Sequence, residues 1–137
     1  MLFRSTGAAG IKAYADKIRA KLGTSRVIVL MITKYRAHHY ASAAVTARFA
    51  AFSWESTGGM PFNFAEVVAH ETGHLFGAPD EYNPCNCAGS HGFFRKPNVN
   101  CEACAPGGGE SCIMKDLVRS ACNHTLLHLG FPDAPGQ

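Results

Sequence analysis

No apolar run in this chain approaches the roughly 18 residues that a membrane-spanning helix needs. Charge is scarce: 17% of residues are charged against 47% hydrophobic, and the net charge is only +3. So small an imbalance offers little to a phosphate backbone or an anionic membrane surface, which argues against nucleic acid or membrane as partner. The first residues, Met1-Leu2-Phe3-Arg4-Ser5, contain no apolar signal-peptide core. No internal repeat or composition break marks a second domain. The 137 residues are therefore expected to form one domain with a sizeable core.

The first 84 residues contain no cysteine, yet the rest contain six: Cys85, Cys87, Cys101, Cys104, Cys112 and Cys122. An even number crowded into a Gly- and Pro-rich stretch predicts three disulfides and an oxidising compartment. The expected location is extracellular, with the leader absent from this sequence. The C-x-C and C-x-x-C spacings of the first four cysteines also fit a second, structural zinc site. Disulfides are the preferred reading, and their pairing stays open because six cysteines allow many arrangements.

Helical spacing of Ile11, Tyr14, Ala15, Ile18 and Leu22 predicts a helix over 8–22, ended by Gly23. Val27–Ile32 is an unbroken apolar run with β-branched residues and reads as a strand buried on both faces. Residues 34–44 show no clean period, and 45–54 read as a second strand, though their alanine content also permits a helix. Residues 56–61 read as a loop. A helix then begins, with Asn63 as cap and Glu66 completing a capping box. Phe64, Val67, Val68 and Leu75 supply its core face. Residues 81–111 hold little regular structure, and a last helix is expected over about 116–129. Leu117, Val118, Ala121, Leu126, Leu127 and Leu129 are its packing candidates.

The chemistry concentrates in His70-Glu71-Thr72-Gly73-His74-Leu75-Phe76-Gly77-Ala78-Pro79-Asp80. Two histidines four apart lie on one helix face, one turn apart, and can grip one metal ion. Gly77 can stop the helix at a positive φ, and Pro79 prevents its resumption. Asp80 can then turn back as third ligand. Glu81 is the fallback ligand, and Asp80 with Glu81 is a candidate calcium pair. A catalytic zinc keeps a fourth position for water and lowers its pKa towards about 7. Glu71 would serve as general base and later as proton donor to the leaving amine. His38, His39, His91, His124 and His128 have no ligand spacing, and Asn123-His124-Thr125 is a glycosylation sequon.

These residues resemble the extended HExxHxxGxx(H/D) motif of the metzincin clan of zinc metallopeptidases, in the snapalysin-like variant with aspartate last. Ser111-Cys112-Ile113-Met114-Lys115 is similar to the clan's Met-turn, with Met114 beneath the metal. The segment from Cys112 to Phe131 resembles the tail of bacterial secreted members. The resemblance spans residues 9–131. It implies an α+β fold: a reduced twisted sheet with two helices above a cleft (about 8–77) and an irregular disulfide-rich lower part ending in a helix (about 78–131). Where some families carry a tyrosine two residues after the Met-turn methionine, this chain has Asp116; Tyr82 is the substitute in view. A Cys112–Cys122 bridge would tie the Met-turn to the last helix.

The expected activity is hydrolysis of peptide bonds in a protein or peptide substrate, by a monomer holding one catalytic zinc. Two alternatives stand beside it. One is a catalytically weak or inactive module stabilised by zinc and disulfides; the other is a zinc hydrolase of non-peptide amides.

Overall fold

The computed structural model describes residues 7–35, 41–53 and 64–132. Asn63, the expected cap, lies outside them, as do His38, His39 and the 56–61 loop. The architecture is α+β: among the described residues, four helices, a small three-stranded mixed sheet and disulfide-rich irregular segments. The chain divides into two compact units, residues 1–61 and 62–137.

In the first unit, helix α1 (Gly7–Leu22) follows the apolar spacing of its sequence. Gly23 ends it with φ +63°, a conformation that costs glycine little. Strands β1 (Val29–Thr33), β2 (Ala41–Ala44) and β3 (Phe49–Ser53) form a sheet in the order β1-β3-β2. The β1–β3 pair is parallel and the β2–β3 pair antiparallel. Strand β2 was not legible, because Ala41-Ser42-Ala43-Ala44 has neither β-branched residues nor apolar alternation. The strand expected over 45–54 begins later, since Val45–Arg48 forms the turn of the β2–β3 hairpin.

The expectation that the 27–32 run is buried on both faces fails. Leu30, Met31 and Ile32 are exposed, Ile32 by 59%. Among the described strands β1 lies at an edge of the sheet, and α1 packs on β3. Ala50 and Phe52, two apart on the central strand, share a face and are buried there, as are Ile11 and Ala15 of α1.

In the second unit, helix α2 (Phe64–Leu75) carries the histidine motif. Its buried residues are Glu66, Val67, His70, Gly73 and Leu75. Glu66 pairs with Arg119, Nε to Oε1 at 2.6 Å. The segment after Leu75 is irregular as expected, apart from a bridge between His91 and Lys96 and a 3-10 turn at Pro106–Gly108.

The single helix expected over 116–129 is instead two short ones, α3 (Ile113–Asp116) and α4 (Asn123–Leu129). Leu117, at φ +52°, breaks the helical path between them. Nor do the leucines dominate the packing: Thr125 and His128 are the buried residues of α4. The core cluster here is Ala78, Cys112, Ile113, Met114 and Cys122, with Leu129 packed against it.

Three disulfides join Cys85 to Cys101, Cys87 to Cys104 and Cys112 to Cys122. The last is the bridge expected between the Met-turn segment and the final helix. It closes the stretch from α3 to the start of α4, which removes loop entropy from the unfolded chain. Among the described residues, no helix is long and apolar enough to cross a membrane.

Candidate metal centre

Helix α2 places His70 and His74 one turn apart on one face. Gly77 ends the helix with φ +101°, and Gly77 N–H and Ala78 N–H donate to the carbonyls of His74 and Gly73. The chain then turns back, as Asp80 requires. A Cβ at Gly77 would lie 2.9 Å from the Phe93 backbone nitrogen and 3.0 Å from its ring. Both the backbone conformation and the space demand glycine. Gly77→Ala is therefore expected to destabilise the fold by about 1–3 kcal/mol, read as a lower urea midpoint with unchanged m-value. An unchanged midpoint would show that the turn tolerates a side chain.

Three atoms converge after this turn. His70 Nε2 lies 3.2 Å from Asp80 Oδ1, His74 Nε2 lies 3.2 Å from Asp80 Oδ1, and the two Nε2 atoms lie 3.2 Å apart. Ligands at zinc distances in a tetrahedral site are separated by about 3.3 Å. The triangle therefore has the edge length of one face of such a tetrahedron.

The other ring nitrogens decide what kind of atoms these are. His70 Nδ1 is 3.0 Å from the Ile113 carbonyl oxygen, and His74 Nδ1 is 2.8 Å from the Ala78 carbonyl oxygen. A carbonyl oxygen only accepts, so each Nδ1 carries the proton and donates it. In the neutral rings, both Nε2 atoms then present lone pairs. Two lone pairs and a carboxylate oxygen facing one another repel unless a positive charge lies among them. The donor set, two imidazole nitrogens and one carboxylate oxygen, suits zinc.

Burial alone would raise the Asp80 carboxyl, but His70 and His74 hold it well below the ordinary carboxylate range. Burial works against a charged His74, yet the Asp80 carboxylate, the Ala78 carbonyl and the Glu71 carboxylate around it raise it above the usual histidine value. Both shifts have one origin, the two imidazoles and the Asp80 carboxylate facing one another. Glu71 is half-buried and moves upward: burial raises its carboxyl, and the charges of His74 and His70 only partly offset this.

Glu81, the fallback ligand, points elsewhere. Its carboxylate receives Asn100 Nδ2 and Thr125 Oγ1, each at 2.7 Å. The expected calcium pair of Asp80 with Glu81 is thus not assembled. Two further groups of close ligand atoms, Cys87 with Cys101 and Cys104, and Glu81 with Cys112 and Cys122, draw on cysteines in disulfides. A disulfide sulfur is not a thiolate, so the cysteines as paired do not hold a second zinc.

Met114 is fully buried, and its sulfur lies against Gly73, where a Cβ would come within 2.8 Å. Tyr82 sits with its ring 6.0 Å from that of His70, centroid to centroid. Asp116 is exposed, with Lys115 Nζ 3.9 Å away. His91, His124 and His128 join no metal-holding group among the described residues. His128 is buried and held neutral, its imidazole pushed down chiefly by burial. Thr125 of the sequon is buried on Glu81. An apolar cavity of about 410 Å³ runs along α2, lined by Ala65, Ala69, Gly73, Met114 and Leu129 among others, but not by the three metal-facing residues.

The residues that motif spacing missed are those that orient the ligands. Ile113 and Ala78 act through backbone carbonyls, which leave no mark on side-chain identity. Asn98 and Asn100, both buried, had only one signal: two asparagines set just before Cys101 in a stapled loop. Comparison with protein-family models, curated proteins and solved structures gives no match for this chain.

Proposed function

We propose that this chain is a secreted zinc-dependent endopeptidase that hydrolyses peptide bonds in protein or peptide substrates. One observation carries the reading. His70 Nε2, His74 Nε2 and Asp80 Oδ1 converge at 3.2 Å with both Nδ1 protons committed to carbonyls. Such a trio of acceptors could hold a cation, and its donor types and spacing fit zinc.

When bound there, zinc activates water at neutral pH and polarises a carbonyl. The chain's own residues do the rest. Ile113 and Ala78 carbonyls lock the two rings in the Nδ1–H tautomer. Glu71 follows His70 on the same helix and is within electrostatic reach of His74, His70 and Asp80. It accepts a proton from the attacking water and returns it to the leaving amine.

The ordering of the HExxHxxGxxD segment before the Met114 segment resembles the metzincin clan, and the buried Met114 packed on Gly73 supports that comparison. The three disulfides support an oxidising, extracellular setting.

The test is metal content and metal dependence of the purified chain. One zinc per chain is expected, together with casein hydrolysis that a chelator abolishes and added zinc restores. Hydrolysis that survives complete zinc removal would sink the mechanism. Zinc binding without cleavage of casein or a peptide library would favour the inactive binding module. Cleavage confined to non-peptide amides would redirect the assignment to that hydrolase class.

A further inference from the structure

Glu81 is fully buried, and among the described residues it makes no ion pair. A buried carboxylate without a cation is costly to keep, so what it holds in place matters. Its two oxygens accept from side chains of two different segments: Oε2 from Asn100 Nδ2 and Oε1 from Thr125 Oγ1, both at 2.7 Å. Asn100 is itself fixed, because its Oδ1 accepts Glu110 N–H at 2.8 Å.

The backbone around Glu81 is clamped as tightly. Glu81 N–H donates to the Met114 carbonyl at 2.9 Å, and Glu102 N–H donates to the Glu81 carbonyl at 2.8 Å. One residue earlier, the Asp80 carbonyl accepts Asn98 Nδ2 at 2.8 Å. The neighbouring Ile113 carbonyl accepts the Nδ1 proton of His70. Successive carbonyls, Ile113 and Met114, therefore hold the first histidine and the backbone beside the third ligand in one frame.

We propose that Glu81 is the positioning residue of the metal site: its carboxylate, gripped by Asn100 and Thr125, aims Asp80 at the two histidines. The proposal rests on the metal reading above. Glu81 acts through hydrogen-bond geometry, not through charge on the metal. A glutamine can keep that geometry, since its oxygen can accept from Asn100 while its amide donates to Thr125, whose hydroxyl can turn to accept. An alanine cannot.

The experiment compares the full-length wild type with Glu81→Ala, Glu81→Gln and Thr125→Val. It measures zinc affinity by competition with a chromophoric chelator, kcat and KM at saturating zinc, and urea unfolding of the metal-free chains. Glu81→Ala is expected to weaken zinc binding about 10–100-fold, as loss of a partner that orients a ligand does elsewhere. Its kcat at saturating zinc should fall more than its KM rises. Glu81→Gln should stay within about 3-fold of wild type, and Thr125→Val, which removes one hydrogen bond, should lose about 5-fold. If Glu81→Ala does not fold, the ordering of wild type, Glu81→Gln and Thr125→Val carries the test.

Unchanged zinc affinity in Glu81→Ala and Thr125→Val, with only the urea midpoints lowered, overturns the proposal in favour of a structural role. Equal losses in Glu81→Gln and Glu81→Ala overturn it in favour of a charge effect. In both cases the wild type still binds and uses zinc, so the metal reading stands. A wild type that binds no zinc removes both.

Discussion

Replacing Glu71 with alanine is expected to cut peptide hydrolysis by about 10²–10⁴-fold while the zinc content stays at one per chain. The two readouts separate because Glu71 is not one of the three converging atoms, which come from His70, His74 and Asp80. Its proposed role is to hold and move a proton. General-base efficiency is best when the base's pKa lies near the working pH. Burial shifts the Glu71 carboxyl in that direction, upward from the ordinary glutamate value, against the opposing charges of His74 and His70. Glu71→Gln keeps the shape and removes the basicity, so it should lose activity to a similar degree. The measurement is kcat/KM on a fluorogenic peptide beside metal analysis of the same sample. Equal rates in wild type and both variants would end the proposed chemistry.

His74→Ala should abolish zinc binding under assay conditions, and hydrolysis with it. A structural zinc site with four ligands is worth about 10–16 kcal/mol, or roughly 3–4 kcal/mol per ligand, which is a 10²–10³-fold change in affinity. His74, like His70, lies 3.2 Å from both other converging atoms, and the Ala78 carbonyl at 2.8 Å sets its tautomer. Asp80→Ala should behave alike, and that result would settle the third position against Glu81. His124→Ala serves as control: His124 Nε2 lies 3.7 Å from Glu110 Oε1 and belongs to no metal-holding group. Its zinc affinity should match wild type. Full zinc occupancy in His74→Ala at nanomolar free zinc would show that the ion sits elsewhere.

Much of this site is legible in the amino-acid sequence, and for a local reason. The i,i+4 spacing of His70 and His74 and the stop at Gly77 act over a single turn, where helix geometry leaves little choice. The same holds for α1, whose apolar spacing and terminal Gly23 set its limits. An even cysteine count predicted disulfides without saying which. Residue identity within a few positions was enough in each case.

What needed the tertiary structure depends on partners far along the chain. His70 finds the Ile113 carbonyl 43 residues away, and Thr125 reaches Glu81 across 44. No local pattern encodes such contacts, yet they select Asp80 over Glu81 as the residue facing the histidines. The pairing of Cys85 with Cys101 and Cys87 with Cys104 has the same origin. So does the exposure of β1, since strand composition cannot tell an edge from a centre. Leu117's left-handed turn divides a helix that side-chain periodicity alone would have left whole. The amino-acid sequence by itself determined which residues could hold a metal, with the third place left between Asp80 and Glu81. Long-range packing decided their tautomers and their aim, because a lone pair's direction depends on the partner that holds the other end of the ring.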